Sequence, residues 1–217
     1  MPITLMQQTI QTMERILTEY YDLSSTPFVT DFIVNEASSE TTERACLIIK
    51  QKSEEELELG LYFSSNFQEA FQAAFHDPQE LMPLRTLTFT QLDLLAVLAE
   101  ELSHFEFFWQ RAHAQHSTSL LELEYQAEID KFIVLASLLL PTQPTLSRAA
   151  LVHCLYEQVH FFPNNAEIRD RYELANRLAH RFWSQSNINQ IAEIQHPEIQ
   201  RRLRKLYQAP LETKISI

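Results

Sequence analysis

The sequence predicts an α+β fold: an N-terminal helix, a small three-stranded antiparallel sheet, and a mainly helical C-terminal half built around a central antiparallel helix hairpin. Three observations carry that expectation. β-branched and aromatic residues concentrate in three short runs between residues 28 and 63, joined by polar connectors too short for crossovers. From residue 66 onward, apolar residues recur at helical spacing almost to the end. Of the 217 residues, 45% are hydrophobic and 21% charged, the balance of a chain that buries a core.

The first helix is expected over 3–22, where Leu5, Ile10, Met13, Ile16, Leu17 and Tyr20 follow a 3.6-residue period and Pro27 closes the segment. Strands are expected over 28–34, 45–50 and 57–63, forming a meander through the connectors 35–42 and 51–56. A short helix over 67–75 ends near Asp77-Pro78. Thr88 with Gln91 spells a capping box opening a helix to about Ala114, and Ser119 with Glu122 spells a second, opening a helix to Leu140 before Pro141. Further helices are expected over 145–160, 165–185 and 198–208, with Asn164 capping the second of these. No repeat, low-complexity tract or long linker divides the chain, so residues 1–217 read as a single domain.

Composition excludes several function classes. Lys and Arg total 17 against 29 Asp and Glu, a formal charge of −12, which argues against a nucleic-acid partner. The basic cluster Arg201-Arg202-Leu203-Arg204-Lys205 instead complements a helix end and internal carboxylates. The single glycine, Gly60, excludes every glycine-rich phosphate loop. Cys46 and Cys154 make neither a disulfide framework nor a thiolate zinc site, and they suit a reducing cytoplasm. The first residues lack a signal-peptide pattern, and the apolar stretch over 132–140 is about half the ~20 residues that span a bilayer, so a cytoplasmic protein without membrane contact is expected.

Candidate chemistry rests on histidine. His76, His113, His116 and His153 have no carboxylate spaced to suggest a site. Three Glu-x-x-His spellings occur, Glu101…His104, Glu157…His160 and Glu193…His196, but the last runs into Pro197, which speaks against a di-iron bundle. Around the first, Glu100 and His104 lie one turn apart on one helix face, with Glu101 beside them. A turn near residue 117 sets His104 level with about residue 130, so Glu128 and Asp130 are the acids expected to face it, with Glu124 a turn nearer the hairpin tip. Tyr125, Phe132 and Leu135 share the Glu128 face, so that carboxylate is expected to be partly buried and to need a partner.

These residues resemble the zincin metallopeptidases, above all the ImmA/IrrE type. There a small sheet precedes a His-Glu-x-x-His helix, and a following helix that supplies a Glu ligand ends in an apolar run and proline. Leu138-Leu139-Leu140-Pro141 is similar to that ending. The resemblance covers roughly residues 28–141 as a zincin-like core and leaves 142–217 as a helical extension. It departs at the first ligand, where Glu100 stands in the place of histidine. The resemblance implies Glu101 as general base and a divalent metal on Glu100, His104 and a third acid. Matching on the phenylalanine selects Glu128; matching on the proline selects Asp130. Two acids and one imidazole favour harder ions and a less electrophilic site.

Two functions follow as expectations. The missing histidine implies a degenerate, non-catalytic scaffold without a resident cofactor, acting by binding another protein or a second copy of itself. Phe105, Phe107, Phe108 and Trp109 encircle more of their helix than one core-facing stripe needs, which fits a central helix or a partner contact. The alternative is a metal-dependent hydrolase using the atypical Glu/His/acid site. Ser103, His104 and Cys154 lack the third member of a nucleophilic triad.

Overall fold

The N-terminal helix α1 (Leu5–Tyr21) opens on a capping box between Thr4 and Gln7 and stops at Asp22, whose left-handed backbone (φ 57°) turns the chain. In this computed structural model, residues 4–23, 27–34, 44–53, 56–75, 87–143, 145–159, 165–185 and 196–216 are described. The buried face of α1 carries Met6, Ile10, Met13, Leu17, Tyr20 and Tyr21, matching the predicted period.

The strand expected over 28–34 is mostly absent. Val29–Phe32 forms a single 3-10 turn, leaving only Ile33–Val34 as strand β1. The cause is a tertiary contact: Val29 is fully buried, and its N–H donates to the Glu14 carboxylate at 3.2 Å, fixing this segment against α1 before a ladder can begin. Strands β2 (Ala45–Gln51) and β3 (Leu57–Phe63) pair antiparallel, with Ala45 opposite Phe63 and Gln51 opposite Leu57. β1 joins the other edge of β3 in parallel, with Ile33 opposite Leu61 and Val34 opposite Tyr62. The sheet is therefore mixed, in the order β1-β3-β2, and not the antiparallel meander expected. A short connector permits two strands to be neighbours but does not compel it; β3 lies between them, and the connector 35–42 falls outside the described residues. Gly60 makes the β1 contact possible. A side chain there would begin 3.1 Å from Val34 Cγ1, tighter than ordinary contact allows.

Helix α2 (Ser65–Ala74), capped by Ser64, buries Phe67 and Phe71, and Phe71 packs on Phe75 with ring centroids 4.7 Å apart. Helix α3 (Phe89–His113) opens on the predicted Thr88–Gln91 box. Ser119 caps α4 (Leu120–Leu139), but only half of its box forms: the Glu122 carboxylate lies 3.6 Å from Arg111 and 3.4 Å from Lys214 instead of returning to Ser119. The helix expected over 145–160 is shorter and changes pitch, running as α5 (Arg148–Val152) into a π-helical turn, His153–Glu157. Helix α6 (Ala166–Ser184) is capped by Asn165, one residue later than expected; Asn164 lies outside the described residues. Helix α7 (Pro197–Gln208) uses His196 as its cap, and α8 (Leu211–Ser216) was not foreseen.

Helices α3 and α4 form the expected antiparallel hairpin at the centre of an α+β fold. Residues of α4 are buried continuously from Glu122 to Ala136, so every face meets protein. Trp183 of α6 packs on Phe132 at 4.4 Å, and Tyr207 of α7 meets Phe107 edge-on at 5.0 Å. Phe32 fills the space beside Phe105 and Trp109. The aromatic surplus of α3 is thus met from within the chain, and much of residues 142–217 seals α4. No described helix is long and apolar enough to cross a membrane.

Candidate metal centre

Helix period decides which acids meet His104. On α4, residues 124, 128 and 131 recur at i, i+4 and i+7 and form one stripe, which faces the Glu100/His104 stripe of α3. Asp130 stands about 200° around the helix from Glu128. The two acids that the sequence left as alternatives therefore belong to different faces.

The structure brings Glu100, His104 and Glu124 together: one donor atom from each lies within 4.8 Å of the others, and the group could hold a metal ion. Nε2 of His104 is 3.3 Å from Glu124 Oε2, and Nδ1 is 3.6 Å from Glu101 Oε2. Both are ion pairs without hydrogen-bond geometry, so Nε2 and Glu101 Oε2 are buried polar atoms that lack a hydrogen-bond partner. Such orphaned atoms are costly in a native interior and converge where a bound cation would satisfy them. The donor set, two carboxylates and one imidazole, suits a divalent first-row ion such as manganese, iron or zinc.

Cations of the protein surround the group. Nζ of Lys131 bonds Glu100 Oε2 at 2.9 Å and Glu128 Oε1 at 2.8 Å, while Arg171 Nε lies 3.5 Å from Glu124 Oε1. Burial disfavours an ionised Glu100, but Lys131 and then His104 outweigh it and hold its carboxyl below the ordinary range. For Glu101, burial prevails over the help from His104 and pushes the carboxyl up. Burial alone would depress His104; the carboxylates of Glu101 and Glu124 instead hold it well above its ordinary value. Burial, countered by Lys131, brings Glu128 to about 6. Each shift is the expected response of a charge taken from water and offered an opposite charge.

The group lines a cleft of about 780 Å³ between α3, α4, strand β2 and the π-helical turn. Glu101, Glu128 and Lys131 reach the same space. Ile49, Phe89, Leu120 and Val159 also line it and are exposed, giving the cleft an apolar border. A volume of this size is that of a small-ligand or peptide-side-chain site.

Of the sequence-predicted residues, Glu100, Glu101 and His104 are assembled as expected, and Glu128 stands one turn along, against Lys131. Asp130 is not with them. It accepts hydrogen bonds from Tyr21 Oη, from Ser103 Oγ at 2.6 Å and from Gln126 Nε2 at 2.9 Å, on the side of the hairpin that faces α1. Glu124, Lys131 and Arg171 were missed as site residues. The i, i+4, i+7 stripe is the signal that would have placed the first two; nothing local pointed to Arg171, which arrives from α6. Among the other histidines, His153 does have a carboxylate at helical spacing, contrary to expectation, and pairs with exposed Glu157 four residues on at 2.6 Å; His113 stacks on Trp109, and His180, unremarked in the sequence, lies 3.4 Å from Glu157. His76, His160 and Glu193 fall outside the described residues. Compared with known protein families, curated proteins and solved structures, the chain matches none.

Proposed function

We propose that this protein is a metal-dependent hydrolase that holds one divalent cation on Glu100, His104 and Glu124. The observation that supports the reading is the convergence of those three donors on the wall of an open cleft, where His104 Nε2 and the neighbouring Glu101 Oε2 lack hydrogen-bond partners. A divalent ion there would supply a Lewis acid that polarises a carbonyl and acidifies water. Glu101 projects beside the group with a carboxyl whose affinity for protons is already raised, so it suits the part of general base. Lys131 and Arg171 fix the two ligand carboxylates from behind, limiting their rotation. The apolar border around Phe89 and Leu120 admits substrates with apolar groups while leaving the polar floor to the reacting bond.

One specific observation favours a second reading. His104 between two acids and Lys131 between Glu100 and Glu128 already neutralise much of the cluster with the protein's own cations. On that reading the scaffold is non-catalytic and its apolar-bordered cleft receives a partner protein. Elemental analysis of protein purified without chelator separates the two. The hydrolase reading expects near-stoichiometric divalent metal that His104→Ala removes and Glu101→Gln retains, with hydrolysis of a mixed fluorogenic peptide library lost in both variants. Metal-free protein that takes up no manganese, iron or zinc on addition sinks it.

A further inference from the structure

The ammonium of Lys131 occupies a place built for a cation. It sits on α4 with its side chain 11% exposed, clamped between Glu100 Oε2 at 2.9 Å and Glu128 Oε1 at 2.8 Å, and it lines the same cleft as His104. The Glu100 carboxylate is shared: one of its oxygens lies within 4.8 Å of donor atoms of His104 and Glu124, and its Oε2 accepts from Lys131. A carboxylate shared in this manner is what two-metal sites use to bridge ions about 3.5–4 Å apart. Glu128 completes the second position, because its Oε2 is buried without any hydrogen-bond partner and remains available to a cation.

We propose that Glu100 and Glu128 form a second cation site beside the Glu100/His104/Glu124 group, and that Lys131 fills it with an ammonium in place of a second metal ion. The inference rests on the metal reading given above. Charge explains why the substitution is stable. The four carboxylates of Glu100, Glu101, Glu124 and Glu128 are matched by one divalent ion together with Lys131 and Arg171, and a second divalent ion entering while Lys131 is present would leave the buried cluster with two surplus positive charges. An ammonium also brings three rotatable donors and no coordination demand, so it can hold both carboxylates without drawing them into a fixed polyhedron. Lys131 is thus the residue that sets metal stoichiometry at one.

Equilibrium titration of chelator-treated full-length protein with manganese tests this. Wild type and Lys131→Arg are expected to bind one equivalent, and Lys131→Met two. Glu128→Gln added to Lys131→Met should return the count to one. Lys131→Gln, which keeps a donor for both carboxylates, replaces Lys131→Met if circular dichroism shows that variant to be unfolded, with the same expected count. Lys131→Met, or Lys131→Gln in its place, that still binds only one equivalent overturns the inference and leaves the single-metal reading standing. Wild type and Lys131→Met both failing to bind manganese overturns the two together. Manganese bound only after Lys131 is removed supports the second cation site and contradicts the single-metal reading of the native protein.

Discussion

Glu106 lies on α3 only two residues beyond His104, yet it is 1% exposed and neither carboxylate oxygen has a hydrogen-bond partner. Burial first, then the charges of Glu14 and Asp130, raise its carboxyl from 4.5 to about 8. The folded protein therefore binds this proton more tightly than the unfolded chain does. The resulting stabilisation is fully present below about pH 4.5 and is lost as pH rises toward 8. Between pH 5 and 8 the group should cost the native state on the order of 3 kcal/mol. Glu106→Gln removes the titration, so its urea-unfolding free energy should fall less over that range than that of wild type, by about that amount. Parallel pH profiles for the two proteins would show that Glu106 is ionised or solvated in the fold. Asp130, also buried and brought to about 6 by burial, differs in having three donors around it. The contrast shows why a carboxylate's spacing in sequence says less than what surrounds it.

Helices α3 and α4 owe their stability to packing more than to their ends. Leu98 is fully buried in the middle of α3, and Leu98→Ala should cost about 2–5 kcal/mol through lost burial and a residual cavity. Thr88→Ala deletes the cap at the start of the same helix and should cost only about 1 kcal/mol. Equilibrium denaturation of both variants checks the ratio; equal losses would mean that α3 is held by its terminus. The extents of α1, α3 and α4 were legible because apolar period, capping residues and Pro141 agree. The β1 segment was not: Phe28 to Val34 has strand composition, but the bond from Val29 to Glu14 depends on α1 packing beside it, a long-range fact. The hairpin was legible in topology and nearly so in level, since Ser103 does meet Asp130. Its rotation was not fixed by the turn position alone. Taking 104 opposite 128 or 130 ignored that residues two apart on a helix point to opposite sides, and the structure pairs His104 with Glu124.

Across the molecule the hairpin separates two polar regions. One face looks into the cleft beneath β2 and the π-helical turn, with Glu100, His104, Glu124, Glu128 and Lys131. The other carries the Tyr21, Ser103, Gln126 and Asp130 network toward α1, and Lys214 of α8 closes it from the C-terminal side. Lys214 is wholly buried, 3.4 Å from Glu122 and 4.1 Å from the Phe107 ring centre, and burial lowers its ammonium to about 8. The Asp130 carboxylate is satisfied within the protein by three donors, and the unpartnered Glu106 beside it does not line the cleft; the first face sets unpartnered polar atoms at an open cavity, which supports the proposed function there. Manganese titration of the apoprotein, comparing Glu124→Gln with Asp130→Asn, tests that assignment most directly. Wild type and Asp130→Asn should bind one equivalent with similar affinity, and Glu124→Gln should bind at least about tenfold more weakly. Undiminished binding in Glu124→Gln, or loss of binding in a folded Asp130→Asn, would contradict the account.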